Sequence, residues 1–157
     1  MPVHKTTRNG GFDRISGNIR KLAKSSVLVG IPSKDNARKG EPLGNAALLY
    51  LHSHGSEIQN IPKRPVIEPA LKENRDLYMP ELKEAVATAI DGEDFTTHLD
   101  KAGTIAANSA KRWFTDPRNN WPPNAPATIK AKGSDQPLID RDEMRRAITS
   151  VTRTDKS

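Results

Sequence analysis

Three prolines within eight residues, at positions 62, 65 and 69, constrain this chain more than any other feature. Each fixes φ near −65° and removes a backbone donor, so Ser56 to Pro69 reads as an irregular segment that cannot donate a full set of backbone bonds to a sheet. The segment has to lie on a surface or against a partner. Its prolines also lower the entropy lost on ordering, which lets Ile61, Val66 and Ile67 be presented rigidly. Arg64 adds a planar fork suited to a carboxylate, and the acidic stretch 68–100 of a neighbouring copy is a candidate acceptor.

Regular elements are legible on either side. Phe12, Ile15, Ile19, Leu22 and Ala23 recur at helical spacing over 12–24, weakened by Gly17. The β-branched run Val27-Leu28-Val29-Gly30-Ile31, ended by Pro32, predicts a buried strand over 26–31. Asn45 is placed to cap a helix running through His52, with Gly55 as its stop. Leu71, Leu77 or Tyr78, Leu82, Val86 and Ile90 predict one face of a long helix over 68–90, kinked at Pro80. Leu99, Ala102, Ala106, Ala110 and Trp113 predict a second helix over 96–114, whose small residues let another backbone approach closely. A short helix at 140–146 and a closing strand over 147–153 complete the reading. The expected fold is α+β, a small antiparallel sheet packed against two long helices with extended loops. Residues 1–11 are expected to form a flexible arm, 33–44 and 116–137 long loops with a short turn at 127–130, and 154–157 a frayed end.

At 157 residues one domain is expected. Apolar residues make up only 34% and aromatics 4%, which suits a subunit whose last stabilising contacts come from neighbours. The absence of cysteine excludes disulfides and thiolate metal sites. No signal-peptide run and no apolar window near ~18 residues is present, so a non-secreted protein with no membrane partner is expected. Charge is uneven: residues 1–40 hold nine Lys/Arg against two acids, 68–100 three against nine, and 101–157 eleven against six. Either a basic face meets nucleic acid, or complementary faces steer copies together. Phe12 is the one aromatic residue among the N-terminal cations, so base stacking has little support.

Catalytic chemistry finds few carriers. His52 and His54 invite a metal, with Glu57 or Asp35 as further ligands, but helical residues two apart point about 200° from each other. The helix-end reading, packing or capping carbonyls, is preferred, and no metal or cofactor is expected. Asp76 with Glu81-Leu82-Lys83 has the spacing of a metal-dependent nuclease, yet in such enzymes the latter pair sits on a strand and here it reads as helix. No nucleophile elbow, Walker loop or dinucleotide fingerprint occurs, and Gly10-Gly11 lacks the strand that a phosphate cradle needs. A non-enzyme is expected. Trp113 reads as a core anchor, and Trp121, beside Pro122-Pro123, as a loop plug or interface anchor.

Two stretches together resemble the neck and tail-completion proteins of tailed bacteriophages, including Mu-like virion-morphogenesis proteins. One is Asn45 to Ser56 followed by Ile61-Pro62-Lys63-Arg64-Pro65-Val66-Ile67-Glu68-Pro69-Ala70-Leu71. In that family a helix ends in an aromatic or acidic residue plus Gly-Ser/Thr and leads into an Ile-Pro-x-Arg-Pro element; here His54 takes the aromatic or acidic position. The other is Pro126 to Asp140, ending Pro137-Leu138-Ile139-Asp140. The family continues with Thr-Gly, whereas this chain has Arg141-Asp142-Glu143, which removes a glycine turn and opens the way to a helical continuation through Met144. The resemblance touches most of 27–153, and the Ile-Pro-x-Arg-Pro element is its specific part.

The resemblance implies a ring-forming subunit of the virion, assembled in the host bacterial cytoplasm, that joins or terminates the tail at the head. Its partners would be identical copies, head-closure or connector proteins, tail-tube proteins, and packaged double-stranded DNA held nonspecifically in the lumen. A hexamer is favoured, with a dodecamer as the alternative. Ile61, Pro62, Arg64, Pro65, Val66, Ile67 and Trp121 are the expected interface residues. Arg14, Arg20, Lys21, Lys24, Lys34, Arg38 and Lys39 are the candidates for facing DNA, against their reading as solvated charges. Arg64→Glu is expected to break the ring and leave the monomer folded. The rival readings are a nonspecific nucleic-acid-binding module and, more remotely, a metal-dependent nuclease.

Overall fold

The computed structural model describes residues 9–139 and 142–155. Helix α1 (Asn9–Ala23) leads directly into β1 (Ser25–Gly30); α2 (Asn45–His54) precedes the proline segment. The chain continues through α3 (Ile67–Glu73), α4 (Arg75–Ile90), α5 (Thr96–Trp113), α6 (Pro126–Lys132), α7 (Glu143–Ala147) and β2 (Thr149–Thr154). β1 and β2 pair antiparallel with Leu28 opposite Val151, so the two ends of the described chain close one two-stranded sheet. The architecture is α+β, with that sheet laid on α5 and α4 packed along the other flank of α5. No helix among the described residues is long and apolar enough to cross a membrane.

The small residues of α5 set the spacing of these layers. Ala102, Gly103, Ala106, Ala107 and Ala110 are all buried. A Cβ added at Gly103 would lie 2.7 Å from Ser150 Oγ and 2.9 Å from both Ser150 Cβ and Val27 Cγ1, so the sheet sits against bare helix backbone there. Two apolar clusters result. One gathers Leu49, Val66, Ala70, Ala110, Trp113, Phe114, Met144 and Ile148; the other holds Ala85, Ala89, Phe95 and Leu99, with Leu22, Val27 and Leu82 packed against it. Trp113 is the buried anchor that its position on α5 predicts.

Several boundaries differ from the sequence reading, each for a local reason. The long helix over 68–90 is broken at Asn74, whose φ of −114° and ψ of 23° end α3, and Pro80 lies inside α4. Asn74 Nδ2 donates to Ala70 O at 2.8 Å, satisfying a carbonyl of the finished helix. On α4 the buried positions are Ala85 and Ala89, while Leu77, Val86 and Ile90 are exposed. Leu82 packs beside Ala85 and Ala89, and Leu71 and Tyr78 are half-buried, so the expected face is turned only partly inward. Asn45 is not the cap of α2. Gly44 holds that position, and the capping oxygen is Asn36 Oδ1, which accepts from Ala46 N at 2.7 Å.

The expected arm over 1–11 is shortened, because Gly10 and Gly11 belong to α1; residues 1–8 lie outside the described residues. The segment 33–44 contains a 3-10 turn at Ser33–Asp35, and 116–137 contains another at Pro117–Asn119 as well as α6. Thr154 is in β2 rather than frayed: its Oγ1 lies 3.0 Å from Ser25 Oγ, and Asp155 N donates to Lys24 O. Residues 156–157 lie outside the described residues. Asp142 keeps the turn that the missing glycine put in question. It adopts φ +62° itself, a conformation short polar residues tolerate best after glycine, and its carboxylate takes Arg145 Nε and Nη2 at 2.6 and 2.8 Å. The helix after it runs only from Glu143 to Ala147.

Candidate assembly surface

The proline segment starts from a turn that needs glycine. Gly55 has φ +73°, and a Cβ there would sit 2.9 Å from Ile61 O and 3.0 Å from Lys63 N. Ser56 and Ile61 then exchange both backbone bonds, at 2.9 and 2.8 Å, closing a short loop with Asn60 at φ +52°. Ile58, at the tip of this loop, is 100% exposed. Beyond it, Arg64 N donates to His52 O at 2.7 Å and ties the segment to the end of α2.

Arg64 is the keystone, and its role is internal. Its side chain is only 6% exposed. Nε and Nη2 reach Pro122 O at 3.1 and 2.8 Å, and Nη2 also reaches Pro123 O at 3.0 Å. Among the described residues no carboxylate pairs with it. The Trp121-Pro122-Pro123 run supplies carbonyl acceptors from residues that, at the two prolines, have no donors of their own. Trp121 reciprocates: its Nε1 donates to Pro65 O at 3.1 Å, and its ring stands edge-on to Phe114 at 5.8 Å. The expected fork toward a neighbour's carboxylate is therefore corrected, because the guanidinium is already occupied within its own chain. Val66 is likewise withdrawn from any interface, being completely buried in the core. Ile61, Pro65, Ile67 and Trp121 are half-buried, and Pro62 is exposed.

On its outer side the segment forms one wall of an apolar groove of about 670 Å³, with α2 as the other wall. Tyr50, Pro65, Ile67 and Pro69 supply much of its accessible surface, with Leu49 and Val66 at its floor. Tyr50 is exposed and stacks on His54 at 4.1 Å, while His54 Nδ1 lies 2.9 Å from Tyr50 O. His52 turns the other way, into a smaller cavity of about 270 Å³ shared with Arg38, Arg64, Asn124, Lys132 and Glu143. Burial, and after it the charge of Arg64, pushes His52 below the ordinary imidazole range. Burial also lowers Arg64. The two histidines are thus not brought together, and no group of three metal-ligating side chains occurs among the described residues. Asp76, Glu81 and Lys83 all lie on α4, with Glu81 Oε2 2.7 Å from His98 Nδ1.

The candidate DNA-facing cations fall in two places. Arg14, Arg20 and Lys21 are exposed on α1, with Lys24 in the turn after it. Arg14 leans over Gly92, and Lys21 Nζ lies 5.4 Å from the centre of the Phe95 ring. Lys34 and Lys39 are exposed on the segment before α2. Arg38 is turned inward instead, its Nε 3.7 Å from Glu143 Oε2. The residues that sequence reasoning missed are the acceptors at Pro122 and Pro123 and the cap at Asn36. Only the surplus of carbonyls over donors in a Pro-Pro pair hints at the first. No protein-family model, curated protein or solved structure matches this chain.

Proposed function

We propose that this chain is a non-catalytic structural subunit that works beside identical copies, in a closed ring at the head–tail junction of a tailed bacteriophage, as a neck or tail-completion protein. The construction of the proline segment carries the reading. Three hydrogen bonds from Arg64 and one from Trp121 hold it from beneath, its outer side is an apolar groove, and Ile58 in the loop leading into it is fully exposed. A surface already rigid loses little entropy on docking, and exposed apolar surface of this kind marks an interaction site. The same Ile-Pro-x-Arg-Pro element carries the resemblance to the phage family, which supplies the place in the virion. A hexamer around packaged DNA, with head-closure and tail-tube proteins above and below, is the favoured assembly, and a dodecamer the alternative.

Light scattering across a concentration series, with the chain alone and with head-closure and tail-tube proteins, tests this. A discrete closed oligomer is expected. Tyr50→Glu combined with Ile58→Glu is expected to abolish it and to leave the melting temperature within about 4 °C of the parent, because two exposed substitutions together usually change stability by about 1 kcal/mol or less. A chain that stays monomeric under every condition ends the reading.

A further inference from the structure

Each strand of the sheet is an edge strand, and the ladder uses only half of their backbone groups. Asp155 N donates to Lys24 O at 3.1 Å, which marks that opposed pair as hydrogen-bonded. Bonded and non-bonded pairs alternate along an antiparallel ladder. In the observed register the bonded pairs are therefore Ser26 with Arg153, Leu28 with Val151, and Gly30 with Thr149. The amides and carbonyls of Ser25, Val27 and Val29, and of Ser150, Thr152 and Thr154, point away from the ladder. Among the described residues they make no backbone hydrogen bond outside it.

Open edges of this kind are templates for another strand, and monomeric proteins blunt them with charge, proline or bulges. β1 has none of these: its sequence is Ser-Ser-Val-Leu-Val-Gly. One face of the sheet is covered by α5. The other presents Leu28 and Val151 side by side, 45% and 42% exposed.

We propose that a second copy of the chain completes this sheet, the free edge of β1 in one subunit pairing antiparallel with the free edge of β2 in the next. The proposal rests on the ring reading and deepens it by adding a second contact to that of the proline segment. Rotation about a ring axis preserves strand direction between neighbours, so β2 of one copy and β1 of the next run antiparallel, as they do within a copy. Both strands are six residues long. Closure then leaves no edge. With two strands from each copy a hexamer would close only 12 strands, too few to enclose duplex DNA, so this contact selects the dodecamer, whose 24 strands leave a wide lumen.

Two measurements decide this. Thr152→Pro removes an outward N–H that the internal ladder does not use, and Thr152→Val removes only the hydroxyl that donates to Asp100 Oδ1 at 2.6 Å. The Val variant is expected to assemble like the parent, and the Pro variant to need about tenfold more protein or worse for assembly. Amide hydrogen exchange on the unaltered chain is the second measurement. On assembly the amides of Val27, Val29, Ser150 and Thr152 are expected to slow by about tenfold or more, while those of Leu28 and Val151, already bonded, change little. An oligomer in which the first four amides exchange as freely as in the monomer overturns strand pairing and leaves the ring standing. So does a Thr152→Pro chain that assembles normally. A chain that never assembles overturns both.

Discussion

Replacing Arg64 tests the internal clamp most directly. Its three contacts fall on two carbonyl oxygens, those of Pro122 and Pro123, so they count as about two independent charge-assisted bonds. Such bonds are worth about 1.5 to 3 kcal/mol each. Pro122 and Pro123 are themselves exposed, so water can replace the guanidinium at their carbonyls once it is removed, which favours the lower end. Arg64→Ala is therefore expected to cost about 3 kcal/mol. For a chain of this size that corresponds to a fall in melting temperature of about 6 to 12 °C. Arg64→Lys, with a point charge in place of the fork, should fall between the two. Arg64→Glu sets an acceptor against acceptors and is expected to be the worst of the three, unfolding the monomer rather than only its assembly. Circular dichroism melts paired with size-exclusion chromatography give the readout. An Arg64→Ala protein that melts within about 2 °C of the parent would falsify the clamp. A folded but unassembled Arg64→Glu monomer would restore the intersubunit fork.

Three further outcomes follow from the same geometry. The folded state holds His52 below its ordinary pKa of about 6.5, first by burial and then by the charge of Arg64, so the unfolded chain takes up a proton that the folded chain resists. Stability is then fully present above about pH 6.5 and declines as the pH falls below it; denaturant melts of His52→Gln should show a flatter profile across that range. At Asp142, both Gly and Ala lose the Arg145 contacts, but only Gly accepts φ +62° without cost, so Asp142→Gly should be more stable than Asp142→Ala by about 1 kcal/mol in chemical denaturation. Gly103→Val drives two methyl groups into Ser150 and Val27 and is expected to destabilise by about 2 to 3 kcal/mol, lifting the sheet from α5; equal midpoints for variant and parent would refute that packing.

Much of the fold was legible in the residues themselves. α1, β1 and α5 stand within a few residues of where periodicity and β-branching put them, because helical spacing and a Val-rich run act through the local chain. The small residues of α5 announced a close approach, and the sheet makes it at Gly103. The segment is irregular up to Val66, as missing donors and fixed φ required, while Pro69 sits in the first turn of α3, where an amide has no helical partner to lose. The tertiary structure decided what could not be local. Arg64 looked outward-facing until carbonyls 58 and 59 residues away were folded against it. On α4 the most buried places went to Ala85 and Ala89, while Leu77, Val86 and Ile90 of the expected face were left exposed. The cap of α2 moved to Asn36, ten residues upstream of the amide it serves, because the intervening loop folds back. The division has one cause: backbone conformation is a property of a residue and its neighbours, whereas the partner of a buried charge, a cap or a helix face is chosen by whichever distant group the packed chain brings within hydrogen-bond reach.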